Sequence, residues 1–377
     1  MSKKAVKIFI FLGVLALTVS GCSFSTTSSS KSSTGGNTTT DNSIFVSENN
    51  GDIWKPMVSV ATVNARPETI GNLNVSAMAM DPQDSHAIYV GGYERGLYYT
   101  YNILNGWNQV SGLPTDATIN DVKVDPQNKC IIYAAVANRL YRSADCSRNW
   151  TQVYYDNNLG VQVTTIAVDH YNPRNIYIGT SRGEIIKSID SGDAWRTIQR
   201  LEEEVARLAI SPLDSRLIFA ATIHNQVFSF NSNTDTSAIN PEDLERNFLV
   251  ENWWDMRGML KNYDLGKNFK DITICAKDGM VFLATDKMIL RSNDNGSSWE
   301  DLKLIPPEKD AVIGAIAVNP QNSNDIYYVT NTTFYRTLDG GTSWTTKNLP
   351  TARAGRFLLI DFKNPNIIYL GTVKLKD

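Results

Sequence analysis

Arginine, lysine, glutamate and histidine recur at the tips of short predicted hairpins: Glu94 and Arg95, Arg139, Arg182 and Glu184, His224, and Lys287 beside Asp286. Segments joining one repeating unit to the next add Arg66, Glu68, Arg200, Glu202 to Glu204, Arg353 and Arg356. Several arginines around one opening could bind carboxylates or an anionic stretch of a partner protein, because the guanidinium fork matches a carboxylate. Acids interleave them, however, and solvated hairpin tips carry charge in any case. Trp253 and Trp254 form a second candidate, suited either to a protein or glycan contact or to packing on a rim. Metal-ligand spacings, a Gly-rich phosphate loop and a Ser-His-Asp order are missing, and three histidines leave little material for base chemistry. No metal or cofactor is expected, and His86 and His170 read as structural.

These residues are positioned by a repeat. An aliphatic-aromatic pair recurs as Ile88-Tyr89, Ile132-Tyr133, Ile176-Tyr177, Ile218-Phe219, Val281-Phe282, Ile326-Tyr327 and Ile368-Tyr369. The aromatic spacings are 44, 44, 42, 63, 45 and 42, so one unit carries an insertion, placed at about 231–268. Each pair follows a short apolar strand that ends in a turn, often Asp-Pro or Asn-Pro, as at Asp81-Pro82, Asp125-Pro126 and Asn319-Pro320. Short strands with turn signals every ~8–12 residues indicate an all-β chain, and a unit of ~45 residues holding four strands is a propeller blade. The expectation is a single seven-bladed β-propeller of four-stranded antiparallel blades over 44–377. Ile44 to Trp54 lacks two strands, which Arg356–Asp361 and Ile367–Val373 can supply, closing the ring in one composite blade without free sheet edges. In the insertion, Pro241 to Asn247 reads as a short helix.

After each third strand stands the most specific motif, S-x-D-x-G-x-x-W. It is complete in Ser188, Asp190, Gly192, Trp195 and in Ser292, Asp294, Gly296, Trp299. Near copies span 47–54, 143–150 and 337–344 (with Asp339 and Trp344), and a worn copy keeps Thr100, Asn102 and Trp107. Ser and Asp can bond free turn amides, Gly accepts a left-handed backbone, and Trp can plug the gap to the next sheet. The motif resembles the Asp box, the bacterial neuraminidase repeat of sialidases, sortilin-type receptors, xyloglucanase-type glycoside hydrolases and photosystem II stability/assembly factor-like proteins. That resemblance implies structural tryptophans, and loops between strands 2 and 3 that share a ligand-binding face with the blade-to-blade loops.

The enzymatic members fit poorly. Sialidases carry an aromatic-Arg-Ile-Pro segment before the boxes, where this chain has Ala65-Arg66-Pro67, and they have six blades. Xyloglucanase-type enzymes pair two propellers and place a catalytic Asp before a Gly-Gly pair, whereas Gly91-Gly92-Tyr93-Glu94-Arg95-Gly96 has none. Assembly factor-like lipoproteins match in size, blade count and anchor but usually carry a Gly-Trp-x-x-Gly strand that is replaced here by Ile-Tyr, so a photosynthetic role does not follow.

The first residues give an address. Lys3, Lys4 and Lys7 precede a 12-residue apolar stretch, Ile8 to Val19, too short to span a bilayer. The sequence Val19-Ser20-Gly21-Cys22 resembles a bacterial lipobox, which implies cleavage after residue 21 and a lipid on Cys22. Residues 23–43 are rich in Ser and Thr with one large apolar side chain, Phe24, and read as a disordered tether. Net charge is −3 for 377 residues, and removal of three lysines with the leader makes it −6, which excludes a nucleic-acid binder. Four cysteines are too few for a disulfide scaffold. Cys130 and Cys146 nevertheless fall opposite each other across a hairpin centred near Ala137-Asn138, so a bond is geometrically credible, while Cys275 reads as a buried thiol. The expectation is therefore a monomeric, extracytoplasmic protein held to a bacterial cell membrane, binding or assembling a protein or anionic partner. The alternative is a carbohydrate-active surface protein, either a degenerate glycosidase or a glycan-binding module.

Overall fold

In the computed structural model, residues 41–61, 68–102, 105–231, 253–305 and 312–375 are described. They form seven four-stranded antiparallel sheets. Blade 1 runs from Val75–Met80 through Ile88–Gly92 and Gly96–Thr100 to Asn108–Gln109. Blades 2 to 6 repeat the pattern, with inner strands Ile119–Val124, Val163–Val168, Val205–Ile210, Phe269–Ile274 and Ala315–Asn319. Successive inner strands contact one another around a ring. Blade 7 is composite: Ala354–Ile360 and Ile368–Val373 come from the C-terminus, Ile44–Ser47 and Lys55–Pro56 from the N-terminus. Ile44 pairs with Gly371 and Ser47 with Ile368.

The recurring aliphatic-aromatic pair explains the core. Ile88, Tyr89, Ile132, Tyr133, Ile326, Tyr327, Ile368 and Tyr369 are all at most 1 % exposed, because second strands are covered on both faces by neighbouring blades. Five of the seven inner strands end in an Asx turn, with Asp81, Asp125, Asp169, Asn319 and Asp361 accepting from the amide two residues on at 2.7–2.8 Å. On that lower face Gln83, Gln127 and Gln321 reach across to carbonyls of the following blade.

Five motif turns share one geometry. The hydroxyl of Ser47, Ser143, Ser188, Ser292 or Thr337 accepts from the amide four residues on, at 2.8–3.0 Å. The following Asn49, Asp145, Asp190, Asp294 or Asp339 accepts from a second turn amide at 2.8–2.9 Å. Two successive residues turn left-handed, as in Ser191-Gly192 and Asn295-Gly296. The tryptophan fills the gap to the preceding blade, opposite to the direction expected from the sequence. Trp195 of blade 3 donates to the Val153 carbonyl of blade 2, Trp344 of blade 6 to that of Lys303 after blade 5, and fully buried Trp107 of blade 1 to that of Met57 after blade 7.

Trp253–Asp255 is the outer strand of blade 4 rather than part of an inserted loop. Strand alternation separates the pair: Trp253 stacks on Phe230 at 5.2 Å, and Trp254 is 66 % exposed. A four-residue helix, Arg257–Leu260, follows and buries Leu260. The helix expected at Pro241 to Asn247 lies outside the described residues, as do the leader and Cys22. Cys130 and Cys146 are bonded, and Cys275 is a buried free thiol whose pKa is pushed up by burial.

Candidate functional site: the upper channel mouth

Hairpins between strands 2 and 3 lie beside the blade-to-blade segments, as the amide bonds from Tyr93 to Asn74, Ser181 to Gln162 and Asp286 to Asn268 record. This upper face carries most of the charges singled out by sequence, but the structure does not bring them together. Glu94 and Arg95 are exposed at the tip of blade 1. Arg139 lies over the Tyr155 ring and donates to the Tyr141 hydroxyl. Arg182 pairs with Asp156 and with buried Glu184, which also holds Arg200. His224 faces Glu203 at 3.4 Å, and Lys287 pairs with Asp264 at 2.7 Å. Arg66 lies outside the described residues.

Arg353 is not a ligand-face residue. It is 2 % exposed and donates to the Leu73 carbonyl (2.6 Å), Asn74 Oδ1 (2.7 Å), Thr372 Oγ1 (3.1 Å) and Asp41 Oδ1 (3.3 Å). One guanidinium thus ties the last strand, Asp41 and the approach to blade 1, which is a use of the planar five-donor fork that sequence spacing cannot reveal.

The charges that do converge sit on the inner strands. In blades 1, 2, 3, 4 and 5 a register shift follows the first inner-strand residue, and in blade 7 the second, each leaving one residue unpaired. Those bulge residues are Ser76, Asn120, Thr164, Ala206, Lys270 and Arg356, and Gly314 takes the corresponding place in blade 6 just before Ala315. All seven line one cavity of about 210 Å³ at the upper end of the channel. One arc is stitched shut: Ser76, Asn120 and Thr164 donate to the carbonyls of Ile119, Val163 and Val205 on the next blade. The other arc is different. Among the described residues neither Lys270 nor Arg356 makes a side-chain hydrogen bond or ion pair, and Gly314 between them is bare. A Cβ there would stand 2.1 Å from the Gly355 carbonyl oxygen, so the gap is enforced by packing.

Beneath this ring lies a layer of four charges. Lys123 Nζ meets Asp121 Oδ1 at 2.6 Å, and Arg207 Nε meets Asp271 Oδ1 at 3.2 Å. Asp121 is saturated, since Oδ1 also accepts from Val122 and Oδ2 from the Ile166 amide and Thr165 hydroxyl. Burial pushes the Asp271 carboxyl up and the Lys123 ammonium down, while Asp271 raises Arg207. This layer floors the upper well and separates it from a lower cavity of about 360 Å³, lined by Lys123, Arg207 and His170 among others. Around the ring, burial lowers the Lys270 ammonium and nearby Arg356 lowers it further. Arg356, exposed at the mouth, is also lowered by desolvation among its neighbours, opposed by Asp271. Among the described residues the channel therefore holds two carboxylates against four cations, in a protein that is acidic overall. Among the described residues no group of three or more His, Cys, Asp or Glu side chains could hold a metal ion.

The architecture defines the class: a seven-bladed β-propeller with a charged channel and a cationic upper mouth. No family model and no curated protein matches the sequence. Solved structures share the fold. The chain is similar to YCF48 bound to D1 peptide, at 15% identity and TM-score 0.59, covering 85% of this chain and 100% of that one. It resembles YCF48 from Cyanidioschyzon merolae at 11% identity and TM-score 0.58, covering 81% and 97%. The GH74 xyloglucanase from Xanthomonas campestris superposes at TM-score 0.63 and 14% identity over 80% of this chain, which spans only 51% of that enzyme chain.

Proposed function

We propose that the protein is an extracytoplasmic binding or assembly scaffold, lipid-anchored through Cys22, whose upper face engages an anionic segment of a partner protein. The observation that carries this reading is the upper mouth, where among the described residues Lys270 and Arg356 make no side-chain hydrogen bond or ion pair, while the Arg182 and Lys287 hairpin cations are neutralised locally. A field of one sign, concentrated in a concave mouth with a low-dielectric floor, is what attracts and retains an acidic segment. The similar YCF48 propeller, bound to a peptide, supports the use of such a ring for protein recognition. The chain also enters the ring on this face, since Asn42 accepts from Thr351 and Thr372 there.

The carbohydrate-active alternative needs two carboxylates free to act on a glycosidic bond. Asp121 has both oxygens occupied, which weighs against it. The test is in-membrane crosslinking of the full-length protein followed by mass spectrometry, with wild type, K270E/R356E and C22A compared. Loss of one specific partner on charge reversal, together with loss of lipid labelling and membrane retention in C22A, is expected. An unchanged crosslinking pattern in K270E/R356E would overturn the partner surface, and retention of C22A in membranes would overturn the anchor.

A further inference from the structure

The half-stitched ring has a consequence of its own, independent of any protein partner. At three consecutive bulge positions a neutral side chain donates to the next blade's carbonyl and closes the mouth. From blade 4 onward the positions read Ala206, Lys270, Gly314 and Arg356, alternating small and long. Lys270 and Arg356 stand on blades 5 and 7 at the same register, flanking a glycine that packing forbids from growing a side chain. Like charges so placed, felt by Asp286 and Asp271 but directly paired with neither among the described residues, favour an anion held between them. We propose that the upper well is an oxyanion site, in which Lys270 and Arg356 hold one carboxylate or phosphate group over Gly314 and so bridge blades 5 and 7.

The size and chemistry agree. A well of about 210 Å³ falls below the ~300–1,000 Å³ of pockets that enclose drug-sized ligands. It suits a free inorganic anion or a single acidic group presented on a thin stem. Arg356 supplies a planar fork and Lys270 a point charge, a pairing that tolerates either a flat or a tetrahedral oxyanion. The ion-paired floor, with Lys123 on Asp121 and Arg207 on Asp271, keeps the ligand from passing through the channel.

The experiment uses the purified full-length protein in detergent, with thermal unfolding and titration calorimetry at fixed ionic strength set by chloride. The probes are inorganic phosphate and trialanine, with trialanine amide as the control for the carboxylate. Wild type should gain roughly 2–4 °C in midpoint at ten times the dissociation constant. The affinity should fall at least tenfold in K270M and in R356M and stay unchanged in R174A, a surface arginine on the lower face. A response to phosphate alone marks a free-ion site, and a response to trialanine but not its amide marks a peptide carboxylate. Either supports the proposal, whatever the crosslinking of partners shows. No response to phosphate or trialanine, or an equal response in K270M/R356M, overturns it. A second reading guards against misfolding. In chloride alone K270M/R356M should melt no lower than wild type, because neutralisation removes the repulsion that Arg356 exerts on Lys270, and a fall of several degrees would assign the pair a structural role instead.

Discussion

Replacing Arg353 by methionine should weaken the ring closure more than the loss of any exposed arginine. The side chain is 2 % exposed, so its charge has exchanged water for acceptors at 2.6, 2.7 and 3.1 Å. Hydrogen bonds to a charged group contribute about 1.5–3 kcal/mol each, but they are not additive, and Thr372 Oγ1 keeps its bond to the Ser43 carbonyl. Asp41 is 66 % exposed and adds little. A loss of about 3–5 kcal/mol is the reasonable sum, comparable with breaking other buried ionic contacts. At the low end of the size scaling, ~2 °C per kcal/mol, the midpoint should drop by roughly 6–10 °C. Thermal unfolding followed by circular dichroism reads this directly. Lysine should restore no more than half, since a single ammonium cannot reach three acceptors aimed by separate segments. A midpoint within 1–2 °C of wild type would refute the clasp and return Arg353 to the ligand face, where its loop position in the sequence had placed it.

Ser292→Ala removes a 2 % exposed hydroxyl that accepts from the Gly296 amide and donates to Asp294, and should cost about 1–2 kcal/mol by guanidinium denaturation with an unchanged m-value. The motif carboxylates give a pH signature. The Ser343 hydroxyl and amide hold Asp339 down to about 2, and Asp145, Asp190 and Asp294 are also lowered by their turn donors. Depressed native pKa values stabilise above the ordinary 3.8, so stability should fall as pH drops from about 4 towards 2, and Asp339→Asn should flatten part of that fall in an acid titration of the melting point. Reducing Cys130–Cys146, whose loop spans 16 residues, should lower stability by about 3 kcal/mol on the chain-entropy account, measured by unfolding with and without a reductant.

Blade number and closure were readable in the sequence because each blade repeats residues that packing constrains. A second-strand Ile-Tyr pair sits where both faces are covered, and the motif turn needs its hydroxyl, carboxylate and glycine in every copy. The site was much less legible. Lys270 and Arg356 occupy a position defined by a bulge, so their shared level in the channel emerges only when the seven inner strands are aligned on that irregularity. Such an alignment, giving Ser76, Asn120, Thr164, Ala206, Lys270, Gly314 and Arg356, was the available signal. The hairpin-tip charges misled because a tip residue can satisfy itself within its own blade, as Arg182 does with Glu184. Trp253 and Trp254 read as a loop because their strand is separated from its partner, Val227–Asn231, by an insertion that carries no strand period.

The composite blade also sets a clock. Ile44 is among the first residues of the ring to leave the ribosome, yet its partner Gly371 is among the last. At ~5–20 residues per second the strand Ile44–Ser47 must wait roughly 15–65 s before Ile368–Val373 exists to receive it. Throughout that interval six blades can form in order while the seventh is half a sheet, presenting the apolar sequence Ile-Phe-Val as an open edge. Ring closure is therefore the last step in assembling the propeller, and a nascent chain interrupted before residue 368 would have six blades but no ring.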